Sequence, residues 1–270
     1  MYELTGHYIE VCGIRTYYEQ AGCGRPVVCL AMAGASGSQL YRITQPLASD
    51  KYCFIAPDLP GRGKTLPNID TLRPIEDTGE YLDFIWKFIQ ALKLEKPILF
   101  GAAMTANAVM LLAAEHPDEV SAVIAVGGGL TPKAELDLTY EDMLDHPGVN
   151  LSDFKETHLI GMLGPDLPRQ RINECIWYAA KTQVSSTARA DSMVFRGLGT
   201  IGRLQNLNEI PVLMIRGDCD VSIPEQARSE ILSLKRMEER VVHGAGHYAV
   251  LEKPEEISRE VGAFLERTFG

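Results

Sequence analysis

Five short, continuous apolar runs restrict the fold more than any other feature of this sequence. They occupy residues 27–32, 52–56, 98–100, 122–126 and 212–215. Strands that are buried on both faces have continuous apolar runs, whereas strands with one wet face alternate. Helical patterns lie between several of these runs, at about 77–92 and 104–114, and another follows at about 254–264. The sequence therefore predicts an α/β fold in which a mostly parallel central sheet is flanked by helices, with right-handed crossovers.

Two segments depart from this alternation. Residues 7–11 and 16–19 alternate between apolar and polar side chains, which predicts an antiparallel hairpin. Between residues 131 and 205 the strand–helix pattern is lost, and prolines and glycines break the segment into short helices. We therefore predict a core formed by residues 1–130 and 206–270, with residues 131–205 inserted as a helical cap.

Charge and composition restrict the partners. The formal net charge of −10 repels polyanions, so we expect a small-molecule substrate, no nucleic acid and no membrane; the sequence leaves homo-oligomerisation open. The first residues contain no secretory or transit signal, which makes the cytoplasm the expected location. The six cysteines are scattered and form no metal-ligand cluster. The glycine-rich stretch at 34–37 lacks the lysine of a P-loop and the spacing of a dinucleotide fingerprint, so no cofactor and no metal are expected.

The junctions that follow the predicted strands contain the most distinctive motifs. In open α/β sheets the ligand crevice lies at the carboxyl ends of the strands. The junctions include Pro-Asp-Leu-Pro-Gly-Arg-Gly at 57–63, Gly-x-x-Asp-x-x-x-Pro at 217–224, and Gly246-His247 followed by Glu252-x-Pro254. In this order and spacing they resemble the α/β-hydrolase family along most of the chain outside the cap. The resemblance implies a catalytic triad in the chain order nucleophile, acid, histidine.

The resemblance fails at the nucleophile. The family has a G-x-S-x-G elbow, a sharp strand-to-helix turn, and the corresponding residues 101–105 read Gly-Ala-Ala-Met-Thr. Ala103 therefore occupies the nucleophile position with a methyl group, which cannot attack a carbonyl. Either Ala103 replaces an original serine and yields an inactive variant, or Ala103 is natural and the fold serves binding or non-covalent catalysis. An original cysteine stays open, and an aspartate is disfavoured because relatives that use one place Trp where Met104 stands.

The resemblance assigns the remaining roles residue by residue. His247 is the general base and Asp220 orients it; the motif spacing favours Asp220 over Asp218 as the acid. The backbone N–H of Met104 is one oxyanion donor, and Met32 or Ala33 supplies the other. Within the cap we predict four substrate-binding side chains, namely His158, Trp177, Tyr178 and Phe195.

These assignments predict a cofactor-independent serine hydrolase that acts on a small organic ester, a lactone or a carbon–carbon bond next to a ketone. The alternative is a non-hydrolytic member of the same fold. Such a protein is a small-molecule receptor, or a lyase or isomerase that uses His247 as its base.

Overall fold

One mixed sheet forms the centre of the molecule. The computed structural model describes residues 2–67, 74–130, 159–178 and 185–270. In these ranges eight strands form the sheet: β1 (Thr5–Val11), β2 (Ile14–Ala21), β3 (Arg25–Leu30), β4 (Tyr52–Pro57), β5 (Ile98–Ala102), β6 (Ala122–Val126), β7 (Val212–Gly217) and β8 (Met237–Val242). Their order is β1-β2-β4-β3-β5-β6-β7-β8. β2 pairs antiparallel with β1 and β4, and every other pair is parallel, which confirms the predicted fold class.

Helices follow most of the strands and cover both faces of the sheet. They are α1 (Tyr41–Thr44), α2 (Thr78–Ala91), α3 (Met104–Glu115), α4 (Arg169–Ile176), α5 (Ser185–Phe195), α6 (Glu225–Leu232), α7 (Ala249–Glu252) and α8 (Pro254–Phe269). Short 3₁₀ turns lie at Gly37–Leu40, Gln45–Leu47 and Gln205–Glu209. α2 begins where the Asp77 side chain accepts a hydrogen bond from the Glu80 N–H (2.9 Å), which satisfies one of the orphan donors of the first turn.

The buried side chains form two apolar layers, one on each face of the sheet. α2 and α3 contribute Phe88 and Met110 to one layer. α1 and α8 contribute Ile43 and Phe264 to the other. In α3 every residue from Met104 to Ala114 is buried, so this helix lies inside the molecule rather than on its surface. This burial fixes the position of the turn that precedes α3.

The hairpin of β1 and β2 is also confirmed. Its two-residue turn consists of Cys12 (φ 51°) and Gly13 (φ 76°). Two consecutive positive φ angles are the geometry of a type I′ turn, whose twist matches that of the flanking strands.

The range predicted as a cap contains α4 and α5. Residues 131–158 and 179–184 of this range lie outside the described residues. α5 meets the core through α2, where the Thr78 hydroxyl donates to the Val194 carbonyl (2.8 Å). Asn107 of α3 donates to the carbonyls of Leu130 (2.7 Å) and Leu198 (2.9 Å) and accepts the Gly129 N–H (2.8 Å). The buried side-chain amide of Asn107 thus binds both residues 129–130 and Leu198, which lie on either side of most of the predicted cap range.

None of the described helices is both long enough and apolar enough to cross a bilayer.

Candidate active site

The turn between β5 and α3 has the geometry of a nucleophile elbow. Ala103 forms this turn with φ 54° and ψ −121°, a conformation that costs a residue with a side chain on the order of 1–3 kcal/mol. The surrounding hydrogen bonds hold it there: the Ala103 N–H donates to the Val126 carbonyl (2.8 Å), and the Ala106 N–H donates to the Ala103 carbonyl (3.0 Å). Ala103 therefore has the strained backbone that the nucleophile of this family adopts at the elbow.

Thr105 stands at the position of the family's second glycine and contributes to the turn. Its hydroxyl oxygen accepts the Ala102 N–H (2.9 Å) and lies 2.9 Å from the carbonyl oxygens of both Ala102 and Leu30. The first glycine is required by close packing, because a Cβ at Gly101 would lie 2.3 Å from the Thr105 carbonyl oxygen. The elbow is therefore fastened to the end of β3, where the second oxyanion donor is expected.

The structure brings Asp220 and His247 together. Asp220 Oδ2 lies 3.0 Å from His247 Nδ1, and both side chains are buried, with 1% and 8% of their area exposed. Burial by itself raises the pKa of Asp220, but hydrogen bonds from His247 and Ser222 outweigh it and hold this pKa below its ordinary value. A carboxylate only accepts, so Nδ1 carries the proton in this pair. Nε2 of the neutral ring is then the nitrogen that can take a proton from a reactant.

Ser222 joins this pair, although no sequence motif indicated it as a site residue. Its N–H (2.9 Å) and hydroxyl (2.5 Å) both donate to Asp220 Oδ1, and the hydroxyl oxygen also lies 3.0 Å from His247 Nδ1. A backbone N–H that returns to an aspartate two residues earlier is an Asx turn. The spacing of Asp220 and Ser222 was the one available signal.

Asp218, the competing candidate for the acid, has other partners. Its carboxylate lies 3.0 Å from Nδ1 of His243 and accepts the Gly244 N–H (2.8 Å). The hydrogen bond from His243 is the main reason that the pKa of Asp218 is lowered to about 2. The His243 side chain is 86% exposed, so this pair lies at the surface.

The segment around Gly164, inside the predicted cap range, supports the loop that contains His247. The His247 N–H donates to the Met162 carbonyl (2.9 Å). The N–H groups of Gly164 and Gly246 both donate to Glu252 Oε2, each at 2.8 Å. A Cβ at Gly246 would lie 2.1 Å from the Met162 carbonyl oxygen, so only glycine allows this approach. Burial raises the pKa of Glu252, whose backbone hydrogen bonds partly offset the effect.

The end of β6 connects the elbow to the histidine. Val126 accepts the hydrogen bond from Ala103, and the next residue is Gly127, whose φ is +64°. A Cβ at Gly127 would lie 3.7 Å from His247 Nδ1 and Cε1, which is van der Waals contact. The imidazole of His247 therefore lies beside Gly127, the residue that follows the acceptor of the Ala103 hydrogen bond.

Of the predicted oxyanion donors, Met104 is favourably placed. It is the first residue of α3, and the N–H groups of a helix's first turn have no acceptor within the helix. The prediction for Met32 is wrong, because its N–H donates to Oε1 of Gln39 (2.9 Å). Ala33, the other candidate, follows in the same loop and is partly buried against the layer that contains Met104.

The loop after β3 is supported by Asp58 of the 57–63 motif. Asp58 Oδ1 accepts the Gly37 N–H (2.8 Å), and Oδ2 accepts the Lys64 N–H (2.7 Å). A Cβ at Gly63 would lie 2.0 Å from Asp58 Oδ2, so glycine is required beside this buried carboxylate. This motif therefore holds the loops at the site rather than reacting itself.

The predicted substrate-binding residues have different environments. His158 lies outside the described residues. Trp177 is 61% exposed, which argues against its prediction as a residue lining an enclosed pocket. Tyr178 is partly buried against the apolar layer that contains Ala103, and burial raises its pKa. Phe195 packs against the opposite layer, together with Met104. Within the described ranges, the structure shows no group of three or more His, Cys, Asp or Glu residues arranged to bind a metal ion.

Known proteins that resemble this chain are members of one fold family. The family model for the alpha/beta hydrolase fold matches residues 26–159. Over 276 aligned residues the chain is 24% identical to the 2-hydroxy-6-oxo-6-(2'-aminophenyl)hexa-2,4-dienoic acid hydrolase of Metapseudomonas resinovorans, which covers 96% of this chain and 90% of that protein.

Two solved structures show the same fold at low sequence identity. A thermophilic esterase from Thermogutta terrifontis superposes with a TM-score of 0.84 at 17% identity, over 98% of this chain and 100% of that one. The enol-lactonase from Burkholderia xenovorans LB400 superposes with a TM-score of 0.80 at 16% identity, over 96% of this chain and 100% of that one. The strand order, the family model and these structures together show that the chain belongs to the α/β-hydrolase superfamily.

Proposed function

We propose that this protein is a cofactor-independent hydrolase of a small organic substrate. Alanine occupies its nucleophile position, so the chain with Ala103 is an inactive form. One observation carries the proposal: a buried Asp220–His247 pair lies beside an elbow that keeps its strained backbone at Ala103. A paired, buried carboxylate and imidazole next to such a turn is the arrangement that acyl transfer by a serine hydrolase requires.

Serine at position 103 completes this chemistry. Its hydroxyl oxygen attacks the substrate carbonyl while Nε2 of His247 takes the hydroxyl proton, and Asp220 stabilises the imidazolium. The Met104 N–H donates to the oxyanion that forms. His247 then returns the proton to the leaving group, and a water molecule, deprotonated by the same nitrogen, releases the acid and regenerates the serine. With Ala103 no acyl-enzyme forms, because a methyl group cannot make the first bond.

The substrate class in this proposal is an ester, a lactone or a carbon–carbon bond next to a ketone. The names of an esterase, an enol-lactonase and a hydrolase of a dienoic acid among the similar proteins support this range. A cap over residues 131–205 favours a compact molecule over a polymer, because an inserted segment of this length can enclose the site.

A second function is favoured by the same pair in the absence of a nucleophile. Asp220, Ser222 and His247 keep their hydrogen bonds although position 103 cannot react. A natural Ala103 therefore leaves a base that can remove a proton from a bound ligand, as a lyase or isomerase does, or a site that only binds a small molecule.

Hydrolysis of 4-nitrophenyl acetate and butyrate distinguishes these functions. We expect no catalysed turnover by the Ala103 chain, turnover by Ala103→Ser, and loss of that turnover by several powers of ten in Ala103→Ser/His247→Ala. Ala103→Ser/His243→Ala is the matched control, because His243 is exposed and should leave the rate unchanged. An Ala103→Ser variant that stays silent on both esters and on a panel of lactones and ring-cleavage ketones contradicts the hydrolase proposal.

A further inference from the structure

Glu252 joins two distant parts of the chain through one buried oxygen. The residue is the last of α7 and is 2% exposed. Its Oε2 accepts the N–H groups of Gly246 and Gly164, each at 2.8 Å. Gly246 lies in the histidine loop, residues 244–247, and Gly164 lies in the cap segment, residues 159–164. One carboxyl group therefore binds the backbone of both segments.

The histidine loop is enclosed on two sides by other backbone. On one side, a Cβ at Gly164 would lie 2.0 Å from the Gly244 carbonyl oxygen. On the other side, the Ala245 carbonyl accepts the Cys219 N–H (3.0 Å), and a Cβ at Gly217 would lie 2.1 Å from the Ala245 carbonyl oxygen. The loop therefore lies between the cap segment and the loop after β7, at distances that a side chain at either glycine would prevent.

The cap segment is itself held in place. Leu159, its first residue, and Cys175 of α4 are both buried in the apolar layer that contains Ala103. α4 is also attached to α1, because Nη1 of Arg42 donates to both carboxylate oxygens of Glu174 (2.6 and 2.8 Å). The carboxyl group of α7 thus binds the histidine loop to a packed part of the molecule.

The burial of Glu252 is unfavourable and requires an explanation. Burial raises the pKa of this carboxyl group, and its Oε1 has no hydrogen-bond partner among the residues that the structure describes. A buried polar group with such costs is explained when its remaining hydrogen bonds serve a function. Here those hydrogen bonds reach the residue that precedes the catalytic base and the segment that packs against it.

We propose that Glu252 is a positioning residue for His247, which fixes the histidine loop to the cap segment so that this segment helps to place the imidazole. The cap range then has a second role besides enclosing the substrate, because part of it belongs to the framework that holds the base. Displacing a catalytic group by about 1 Å can lower a rate on the order of 10²-fold, so a small relaxation of the loop is sufficient. The inference rests on the proposed function for its effect on turnover, but not for the position of the imidazole.

Three substitutions in the Ala103→Ser background test this role by turnover of 4-nitrophenyl acetate. Glu252→Gln keeps an oxygen that can accept both N–H groups, Glu252→Leu removes it, and Glu252→Asp withdraws it by one methylene group. We expect Glu252→Leu to lower kcat on the order of 10²-fold while KM changes by less than about threefold. Glu252→Gln should keep the parental kcat. Glu252→Asp should lower it as well, which gives the result even if the leucine variant does not fold.

Asp191→Ala is the matched control for a loss of stability. It also breaks a buried polar contact between the cap range and the core, but Asp191 pairs with Arg62 rather than with the histidine loop. We therefore expect it to keep the parental kcat. The positioning role is overturned by a parental kcat in Glu252→Leu and Glu252→Asp, by a Glu252→Gln variant as slow as these two, or by an equal fall in Asp191→Ala.

A second measurement reads the position of His247 without turnover. In the Ala103 chain, the proton on His247 Nδ1 lies in a charge-assisted hydrogen bond to Asp220 Oδ2 (3.0 Å), and its ¹H resonance is assigned by its loss in His247→Ala. We expect Glu252→Gln to keep this resonance, and Glu252→Leu and Glu252→Asp to shift or lose it. The amide protons of Gly164 and Gly246 should then exchange faster in both of these variants. An unchanged His247 resonance in both variants overturns the positioning role.

The two measurements separate this inference from the proposed function. A changed His247 resonance together with an inactive Ala103→Ser variant contradicts the hydrolase function and leaves the positioning role standing. An active Ala103→Ser variant whose kcat does not depend on Glu252 contradicts the positioning role and leaves the hydrolase function standing.

Discussion

The ion pair between Arg62 and Asp191 joins the core to α5 and gives a direct test of how the predicted cap range is attached. Arg62 belongs to the loop after β4, and its Nη2 donates to Asp191 Oδ1; the side chains are only 2% and 5% exposed. Arg62 also donates to the Pro60 carbonyl (2.8 Å) and lies 5.9 Å from the centre of the Tyr81 ring. Burial lowers the pKa of Arg62, yet a guanidinium stays protonated in proteins.

Removing one partner of this pair should be far more costly than removing both. Asp191→Ala leaves the Arg62 charge buried without a counterion, which costs about 3–5 kcal/mol. Replacing both residues by apolar ones of similar volume, Arg62→Met/Asp191→Leu, removes the desolvation cost of both charges and is often neutral or stabilising. Asp191 Oδ2 has no hydrogen-bond partner among the described residues, so the pair is incompletely satisfied and the double variant should lose little.

Urea denaturation of the Ala103 chain at pH 7 measures these differences. We expect Asp191→Ala to lower the free energy of unfolding by roughly 3–5 kcal/mol, and the double variant to recover most of that loss. Lys235→Met is the control, since Lys235 pairs with Glu209 at 2.9 Å while both side chains are more than half exposed. Such surface pairs contribute little to stability, because solvent screens the two charges. A loss in Asp191→Ala no larger than in Lys235→Met, or a double variant weaker than the single one, refutes the reasoning.

Three further predictions concern buried polar groups near the site. Asn107→Leu leaves two carbonyls and one N–H without their hydrogen-bond partner. We therefore expect the free energy of unfolding, measured by urea denaturation, to fall by roughly 3 kcal/mol or more, and a fall below about 1 kcal/mol contradicts this. Asp220 has a pKa held below its unfolded value, so its contribution to stability is present above about pH 3.9 and is lost as the pH falls through the folded value. Ser222→Ala removes one of its hydrogen bonds and should raise this pKa, measured by NMR titration of the carboxyl carbon; an unchanged or lower pKa counts against the assigned contact. Glu252 has a pKa raised by burial, so the chain should lose stability as the pH rises from about 4.3 through the folded value. In Glu252→Gln the free energy of unfolding should not show this decrease between pH 4 and 7. A pH profile identical to that of the parent chain contradicts the role assigned to Glu252.

The strands of the sheet interior and the hairpin of β1 and β2 could be predicted from sequence, whereas the edge strand β8 could not. β6 (Ala122–Val126) is buried at every residue and coincides with a continuous apolar run. β8 (Met237–Val242) lies at the edge, and five of its six residues are only partly buried. Its sequence Met-Glu-Glu-Arg-Val-Val therefore contains neither the continuous nor the alternating pattern that identifies a strand.

Within the site, the spacing of the motifs identified Asp220 and His247 as candidates. The same spacing could not indicate which polar groups hydrogen-bond to one another. Met32 fails as a donor because Gln39, seven residues later, accepts its N–H. Ser222 was missed for a related reason, since its role depends on how the loop after β7 folds back on Asp220. Spacing indicates which residues share a loop, whereas the partner of each polar atom depends on side-chain directions that only the folded chain defines.

The most direct test of the central claim is the labelling of position 103 by a fluorophosphonate. This reagent forms a covalent bond only with an activated serine. The result therefore depends neither on the leaving group of a model ester nor on the rate of product release. We expect Ala103→Ser to gain one phosphonyl group, located at residue 103 by peptide mass spectrometry. Labelling should slow by several powers of ten when His247→Ala is added, and the Ala103 chain should stay unlabelled at this position. An Ala103→Ser variant that gains no label, or that is labelled equally fast without His247, contradicts the assignment of residue 103, His247 and Asp220 as one catalytic unit.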